Sequence, residues 1–284
     1  MENRRIVIIG CGNVGSTVAY RLYTLGVADI LLINHNSQKA ISNVLDISDT
    51  PILPTPNISY GTYKDIEPDD IIINCAGNSS MLRTLDRNSE IDNSRRIADD
   101  IINNINSTNF RGLFINVMNP CDEVTYMFRN LHLPVSHIIG TGTMLETFRL
   151  RRIVYERYDV STESYVVGNH GNKNRIVFKD ILKDIEKCPD KLLQDVQDRV
   201  WSIYAGKGFT NFGIANVLSK LICDVIITGE AEEYCVSTFC AGDVYGIRNM
   251  CISVPCILTP EGIKEVRHYD EVGQALSEID WWRM

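Results

Sequence analysis

The sequence has no apolar run long enough to cross a membrane and no small-residue cleavage site near its beginning. It also lacks an excess of positive charge, because 36 acidic residues outnumber 28 basic residues and give a formal net charge of -8. A nucleic-acid partner would need basic surface to bind phosphates. We therefore expect a cytoplasmic protein with neither a membrane span nor a nucleic-acid partner.

Paired cysteine spacings are absent as well. The nine cysteines form no CxxC pair and mostly lie inside apolar runs. This pattern is not typical of a disulfide framework or a zinc site. We interpret the cysteines as small core residues in a reducing compartment, and we predict no metal site.

The apolar segments of the first half predict a parallel sheet. Largely apolar runs, separated by helical segments, are typical of strands that are covered on both faces. The predicted strands are residues 6–9, 30–33, 71–76, 112–117 and 135–139. We therefore predict a doubly wound α/β domain over residues 1–142 and an α+β domain over residues 143–284.

A glycine turn follows the first predicted strand and opens a helix. Gly10, Gly12 and Gly15 allow a tight bend, close approach of a pyrophosphate and close helix packing, respectively. The N–H groups at a helix N-terminus favour an anion at that place. Although the glycine pattern alone is weak, its position between a strand and a helix predicts a dinucleotide site.

The second predicted strand ends at Asn34, where such sites usually carry an acidic residue that binds the adenosine ribose. An amide can still bind a ribose hydroxyl, but it does not repel a 2′-phosphate. No arginine lies nearby to bind that phosphate, and Lys39 is the only close cation. These contacts favour NAD over NADP and leave NADP as the alternative.

A histidine and an ion pair are the candidate catalytic groups. His170 lies between two glycines just after a strand, so a substrate can approach its imidazole, which ionises near neutral pH. Glu146 and Arg149 are three residues apart on a predicted helix and share one face. A carboxylate can orient a histidine, and a guanidinium can bind a substrate carboxylate. The alternatives are a loop histidine and a surface ion pair.

Several blocks resemble one family in order and spacing. They are GCGNVG at 10–15, VMNP at 117–120, IGTGTMLETFRL at 139–150, GNHG at 168–171 and GKGFT at 206–210. From about residue 6 to 266, the chain resembles the L-2-hydroxy-acid dehydrogenases of the lactate/malate dehydrogenase superfamily, above all those acting on L-2-hydroxyisocaproate and L-lactate. The resemblance implies a Rossmann-type domain followed by an α+β catalytic domain.

The resemblance also implies roles for individual residues. His170 would be the proton donor and acceptor, oriented by Glu146, which stands where the family has aspartate. Arg149 would bind the substrate carboxylate, Asn119 would contact nicotinamide ribose and substrate, and Thr210 would line the substrate pocket. The implied NAD-binding residues are Gly10, Gly12, Asn13, Val14, Gly15, Asn34, Ala76, Gly77 and Asn119.

The arginine that polarises the substrate carbonyl lies, by the same resemblance, in the loop before the helix near residue 94. Arg87 matches that position and Arg83 is the competing candidate. Malate-specific relatives carry another arginine six residues earlier, where this chain has Met81. A thioether leaves a second carboxylate unpaired, so Met81 predicts a monocarboxylic 2-oxo acid with an apolar side chain.

The resemblance therefore predicts reversible, NAD-dependent hydride transfer between an L-2-hydroxy acid and its 2-oxo acid, by a homodimer or homotetramer. Two alternatives stay open on the sequence alone. One is a malate dehydrogenase, in which Arg83 would bind the second carboxylate. The other is a catalytically weakened homologue that binds a nucleotide without turnover, which the substitutions at Asn34 and Glu146 would suit.

Overall fold

A computed structural model describes residues 4–50, 56–77, 87–171, 173–179 and 188–281, with only the backbone of residues 87–90 and 243. Six parallel strands form the first half of its sheet, in the order β3-β2-β1-β4-β5-β6. Their bounds are β1 Ile6–Ile9, β2 Ile30–Ile33, β3 Ile58–Gly61, β4 Ile71–Asn74, β5 Leu113–Asn116 and β6 Ile138–Gly140. The predicted doubly wound sheet is thus confirmed.

The helices of this half cover both faces of the sheet. They are α1 Asn13–Leu25, α2 Ser37–Ser48, α3 Arg87–Asn106 and α4 Cys121–Phe128. Alternate strand residues point to opposite faces, so Ile8 packs with Leu22 in one core cluster and Val7 packs with Ile101 in another. Both faces are therefore buried, which is why the central strands are almost entirely apolar.

The second half adds helices and antiparallel strands. The helices are α5 Met144–Tyr158, α6 Pro189–Lys207, α7 Phe212–Leu221 and α8 Asp270–Ser277, and a π-helical segment, Ile222–Ile227, continues α7. The strands are β7 Tyr165–Gly168, β8 Asn174–Val177, β9 Glu232–Val244, β10 Ile247–Thr259 and β11 Gly262–Val266. Because β9 pairs with β6 at Ser237 and Gly140, the described strands form one sheet of 11 strands.

Three features differ from the sequence-based expectation. The segment 135–139 is a 3₁₀ turn over Val135–His137 before the short strand β6, so the predicted strand begins too early. Strand β3 was not predicted, because it lies on the sheet edge and only one of its residues is fully buried. The long β9–β10 hairpin was also not predicted.

Six of the nine cysteines are buried, which fits the interpretation as core residues, whereas Cys188 is exposed. In the part of the chain that the structure describes, no helix combines the length and apolar character needed to cross a membrane.

Candidate active site

The glycine turn has the geometry of a phosphate cradle. A Cβ on Gly15 would lie 1.9 Å from the carbonyl oxygen of Gly10, so α1 can pack this closely only with glycine. A Cβ on Gly12 would instead meet nothing within 4 Å, because it would project into open space at the start of α1. No described side chain caps this helix, and its first turn holds no acidic residue. The turn therefore fits a bound pyrophosphate.

Asn34 supports this turn with both ends of its amide. Its Oδ1 accepts the backbone N–H of Cys11 at 3.0 Å, and its Nδ2 donates to the carbonyl of Asn36 at 3.0 Å. The oxygen has a second lone pair, so it can still accept from a ribose hydroxyl. The residues present thus fit a dinucleotide without a negative charge at this position.

Further residues of the predicted cofactor site lie at the ends of neighbouring strands. Ala76 and Gly77 follow β4, and a Cβ on Gly77 would meet nothing within 4 Å. Asn119 follows β5, and its carbonyl accepts the hydroxyl of the buried Ser94 at 2.9 Å. In a parallel sheet these strand ends meet at one edge, which is where open α/β sheets bind ligands.

His170 lies in the turn after β7 and contacts Glu146 on α5. Its Nδ1 is 2.5 Å from Glu146 Oε1, and the imidazole side chain is 32% exposed against 7% for the carboxylate. The longer glutamate side chain therefore still reaches the ring. The buried carboxylate contacts the Nδ1 atom of the ring, and the imidazole still lines the cavity.

The electrostatics of this pair favour a charged imidazole. Burial alone would lower the pKa of His170, but the charge of Glu146 and that of Asp122 raise it to about 9. Burial likewise opposes the charge of Glu146, yet the neighbouring His170 and Arg149 hold the pKa of its carboxyl below its ordinary value. At neutral pH the site therefore holds an imidazolium beside a carboxylate.

One cavity of about 250 Å³ brings most of the predicted substrate residues together. Asn119, Glu146, Arg149, His170 and Thr210 all line it. Arg149 is half-buried and partial burial lowers its pKa, but the guanidinium stays charged and can pair with an anion in the cavity. Val14 from the glycine turn also lines it, which places the cavity next to the predicted cofactor site.

The opposite wall of the cavity is largely apolar. Helix α6 contributes one face, with lining residues at helical spacing. These residues are Leu193, Val196, Gln197, Val200, Trp201 and Tyr204. Of the described side chains that line the cavity, Arg149 and His170 are the only basic ones. The cavity thus offers one anion site and an apolar surface.

The structure does not describe the side chains of the three predicted loop residues. Met81 and Arg83 lie outside the described residues, and Arg87 is the first residue of α3, with its side chain likewise not described. Their assignment stays a prediction. Among the described residues, no group of histidine, cysteine, aspartate and glutamate could hold a metal ion.

The sequence reasoning missed Asp122, which contacts the backbone of His170. Asp122 is 2% exposed, and its Oδ2 accepts the backbone N–H of His170 at 2.7 Å. The available signal was an acidic residue in the first turn of a helix two positions after Pro120. It could not show that this helix begins beside His170.

Comparison with known families covers almost the whole chain. Residues 4–140 match the family described as lactate/malate dehydrogenase, NAD binding domain. Residues 143–279 match the family described as lactate/malate dehydrogenase, alpha/beta C-terminal domain.

Individual relatives carry consistent names. L-lactate dehydrogenase 3 of Bacillus cereus is 32% identical over 93% of this chain and 90% of its own length. L-lactate dehydrogenase of Geobacillus stearothermophilus is 31% identical over 92% and 88%, respectively. These names do not favour the malate dehydrogenase alternative.

Solved structures show the same architecture. The minor L-lactate dehydrogenase of Enterococcus mundtii superposes with a TM-score of 0.85 at 26% identity, covering 97% of this chain and 96% of that one. A lactate dehydrogenase from a deep-sea metagenome library superposes with a TM-score of 0.86 at 22% identity, covering 98% of this chain and 96% of that one, and supports the fold alone.

Proposed function

The chain belongs to the lactate/malate dehydrogenase family, and from this premise we infer an NAD-dependent L-2-hydroxy-acid dehydrogenase that works through the His170 cavity. The reaction interconverts a small L-2-hydroxy acid and its 2-oxo acid. We also propose that the cofactor domain ends at residue 142, that the substrate domain begins at 143, and that the enzyme is a homodimer or homotetramer.

The observation that carries the site assignment is the contact between His170 and Glu146 beside Arg149. A general base must accept the proton of the 2-hydroxyl, and the neighbouring carboxylate stabilises the imidazolium that forms. Arg149 binds the substrate carboxylate through two parallel hydrogen bonds, which fixes the orientation of C2. Thr210 and Asn119 complete the polar end of the cavity.

The cofactor is held by the glycine turn and the adjoining strand ends. The proposed residues are Gly10, Gly12, Asn13, Val14, Gly15, Asn34, Ala76, Gly77 and Asn119. When bound there, NAD supplies the hydride acceptor and, as NADH, the hydride donor. The protein side of the reaction is orientation and charge, with Arg87 proposed to stabilise negative charge on the carbonyl oxygen.

We propose that the substrate is a monocarboxylic 2-oxo acid with an apolar side chain. Among the described residues that line the cavity, Arg149 is the cation available for a substrate carboxylate, because the charge of His170 is paired with Glu146. The wall formed by α6 suits a hydrocarbon group. Met81, at the position where malate-specific relatives have arginine, supports the same conclusion. The enzyme would therefore discriminate against a dicarboxylate, whose second charge would stay unpaired.

A steady-state assay of NADH absorbance tests the function with 2-oxoisocaproate, pyruvate and oxaloacetate. We expect both monocarboxylates to exceed oxaloacetate in kcat/KM. An advantage for oxaloacetate of tenfold or more, about 1.4 kcal/mol, would contradict the Met81 assignment and favour Arg83. Silence with all three acids, despite measured NADH binding, would contradict the proposed site. Light scattering of the purified chain tests the oligomeric state.

A further inference from the structure

Asp122 is a buried carboxylate that the proposed reaction does not use. It is the second residue of α4, and it is not among the residues that line the cavity. Its Oδ2 accepts the backbone N–H of His170 at 2.7 Å, and its Oδ1 accepts the hydroxyl of Ser237 at 2.5 Å. Both oxygens therefore have a donor from a different part of the chain.

A buried charge is costly unless donors and fields compensate it. Here the two hydrogen bonds and the N-terminal turn of α4 favour the ionised form. Burial still raises the pKa of Asp122 to about 6, against the opposing effects of Ser237 and His170. Asp122 is thus ionised at neutral pH.

The position of Asp122 joins three elements around the cavity. It lies three residues after Asn119, which lines the cavity from the end of β5. It binds the turn that carries His170, and through Ser237 it also binds β9. We therefore expect a change at Asp122 to alter the position of the His170 peptide relative to Asn119.

We propose that Asp122 is a positioning residue for His170: it holds the backbone of His170 while Glu146 holds the ring, and its charge favours the imidazolium. This inference rests on the proposed function in one respect, namely that His170 is the acid and base. Two carboxylates then act on one histidine, one at its backbone N–H and one at its ring. Truncation of either would leave the ring less well aimed at the substrate.

The charged neighbours of His170 and Asp122 determine the direction in which the pKa of His170 should change. His170 faces Glu146 and Arg149 on α5 and Asp122 on α4. The two carboxylates raise the pKa of the imidazole and the guanidinium lowers it. The neighbours of Asp122 besides His170 and Ser237 are Glu123, Cys121 and Cys251. Removal of the Asp122 charge should therefore lower the pKa of His170.

The test is an NMR titration of the His170 ring in the whole, unliganded protein. The chain has five histidines, so the signal can be assigned by its loss in His170→Ala. We expect Asp122→Asn to raise the proton dissociation constant of His170 about 3–10-fold, roughly half to one pKa unit. The kcat for 2-oxo acid reduction at neutral pH should fall about tenfold, while the NADH dissociation constant stays within about twofold.

Ser237→Ala is the matched control, because it removes a hydrogen bond to Asp122 and keeps the charge. The pKa of His170 should then match that of the wild type within about 0.2 unit, since the charge that favours the imidazolium remains. An unchanged pKa of His170 in folded Asp122→Asn would overturn the proposal.

Ser237→Ala also carries the test if Asp122→Asn does not fold. Loss of the hydroxyl raises the pKa of Asp122, so the backbone amide of His170 should report a titration at higher pH than in the wild type. An unmoved amide titration would overturn the proposal. Neither NMR titration needs turnover. If no substrate is converted, the proposed function is contradicted, but the titrations still test the role of Asp122.

Discussion

The glycine turn and the His170 site are built in different ways. The turn is local, because the residue that requires glycine at position 15, Gly10, lies in the same short segment. His170 instead meets Asp122, 48 residues earlier in the chain, and Glu146 on a third element. The local site depends on residue type at a few positions, whereas the assembled site depends on the relative placement of separate helices. Cofactor binding and proton transfer should therefore fail independently.

The largest effect is expected from His170→Ala. No other described side chain in the cavity is placed to donate the proton, so kcat for 2-oxo acid reduction should fall about 10³–10⁴-fold. NADH binding, measured by fluorescence titration, should stay near the wild-type value because the glycine turn is unchanged. His132→Ala is the control, since His132 is exposed and lines no part of the cavity. Near-normal turnover in His170→Ala would refute the mechanism, and joint loss of NADH binding would refute the independence of the two sites.

Two glycine substitutions sharpen the comparison within the turn itself. Gly12→Ala should fold normally, because its φ of -77° suits alanine and the new methyl meets no protein atom within 4 Å. The methyl would enter the pyrophosphate space, so NADH should bind roughly tenfold more weakly.

Gly15→Ala, the matched partner, should destabilise the protein instead, by roughly 1–3 kcal/mol, because its Cβ would overlap the carbonyl of Gly10. Urea denaturation and NADH titration of both variants check this contrast. Equal stability of the two variants would count against the close packing of α1.

Changes at Glu146 test how its charge contributes to the assembled His170 site. Reduction needs the imidazolium, so kcat/KM for the 2-oxo acid should be constant below the pKa of His170, about 9, and decline above it. Glu146→Gln removes the charge that raises this pKa, so the decline should begin about one to two pH units lower. Glu146→Asp should lie between the two, because it keeps the charge on a shorter side chain. A pH profile that is identical in all three proteins would contradict the role of Glu146.

The same ion pair contributes to stability with a defined sign. The pKa of His170 is raised by folding from 6.5 to about 9, so its stabilising contribution is complete below pH 6.5 and is lost as the pH rises through about 9. Thermal denaturation of the wild type and of Glu146→Gln between pH 6.5 and about 9 should show a difference in Tm that becomes smaller as the pH rises.

The smallest effect is expected at Asn34. Asn34→Asp keeps an acceptor for the Cys11 N–H and adds a charge that repels a 2′-phosphate. We expect NADH to bind a few-fold more tightly and NADPH about 3–10-fold more weakly. Asn36→Asp is the control, because its side chain already caps α2 at the N–H of Lys39. Dissociation constants that move in the opposite direction would contradict the role of Asn34.

Local patterns predicted the parts of the fold that local chemistry determines. The apolar runs of β1 and β2 match the observed strands residue for residue, because a strand buried on both faces is mostly apolar. The glycine turn was likewise predicted from its spacing. Strand β3 was not predicted, because it is partly exposed and its sequence therefore resembles a loop.

The remaining features depend on tertiary packing. Glu146 and Arg149 could be paired by helical spacing, but their approach to His170 followed only from family resemblance. The contact of Asp122 with the His170 peptide had no sequence signal, since it depends on α4 beginning beside the turn after β7. Long-range backbone contacts of this kind leave no periodicity in either segment.

The pairing of β6 with β9 affects whether the segment before residue 143 or the segment after it could fold alone. Gly140 pairs with Ser237, and a Cβ on Gly140 would lie only 2.8 Å from that serine's Cβ. Asn211 also donates across to Thr17 at the start of α1. A fragment cut after residue 142 would carry an open sheet edge and an uncovered face of α1, both of which invite self-association. The segments matched by the two family models are therefore joined by contacts that their separation would expose to solvent, and an exchange of either segment between relatives would have to preserve these contacts.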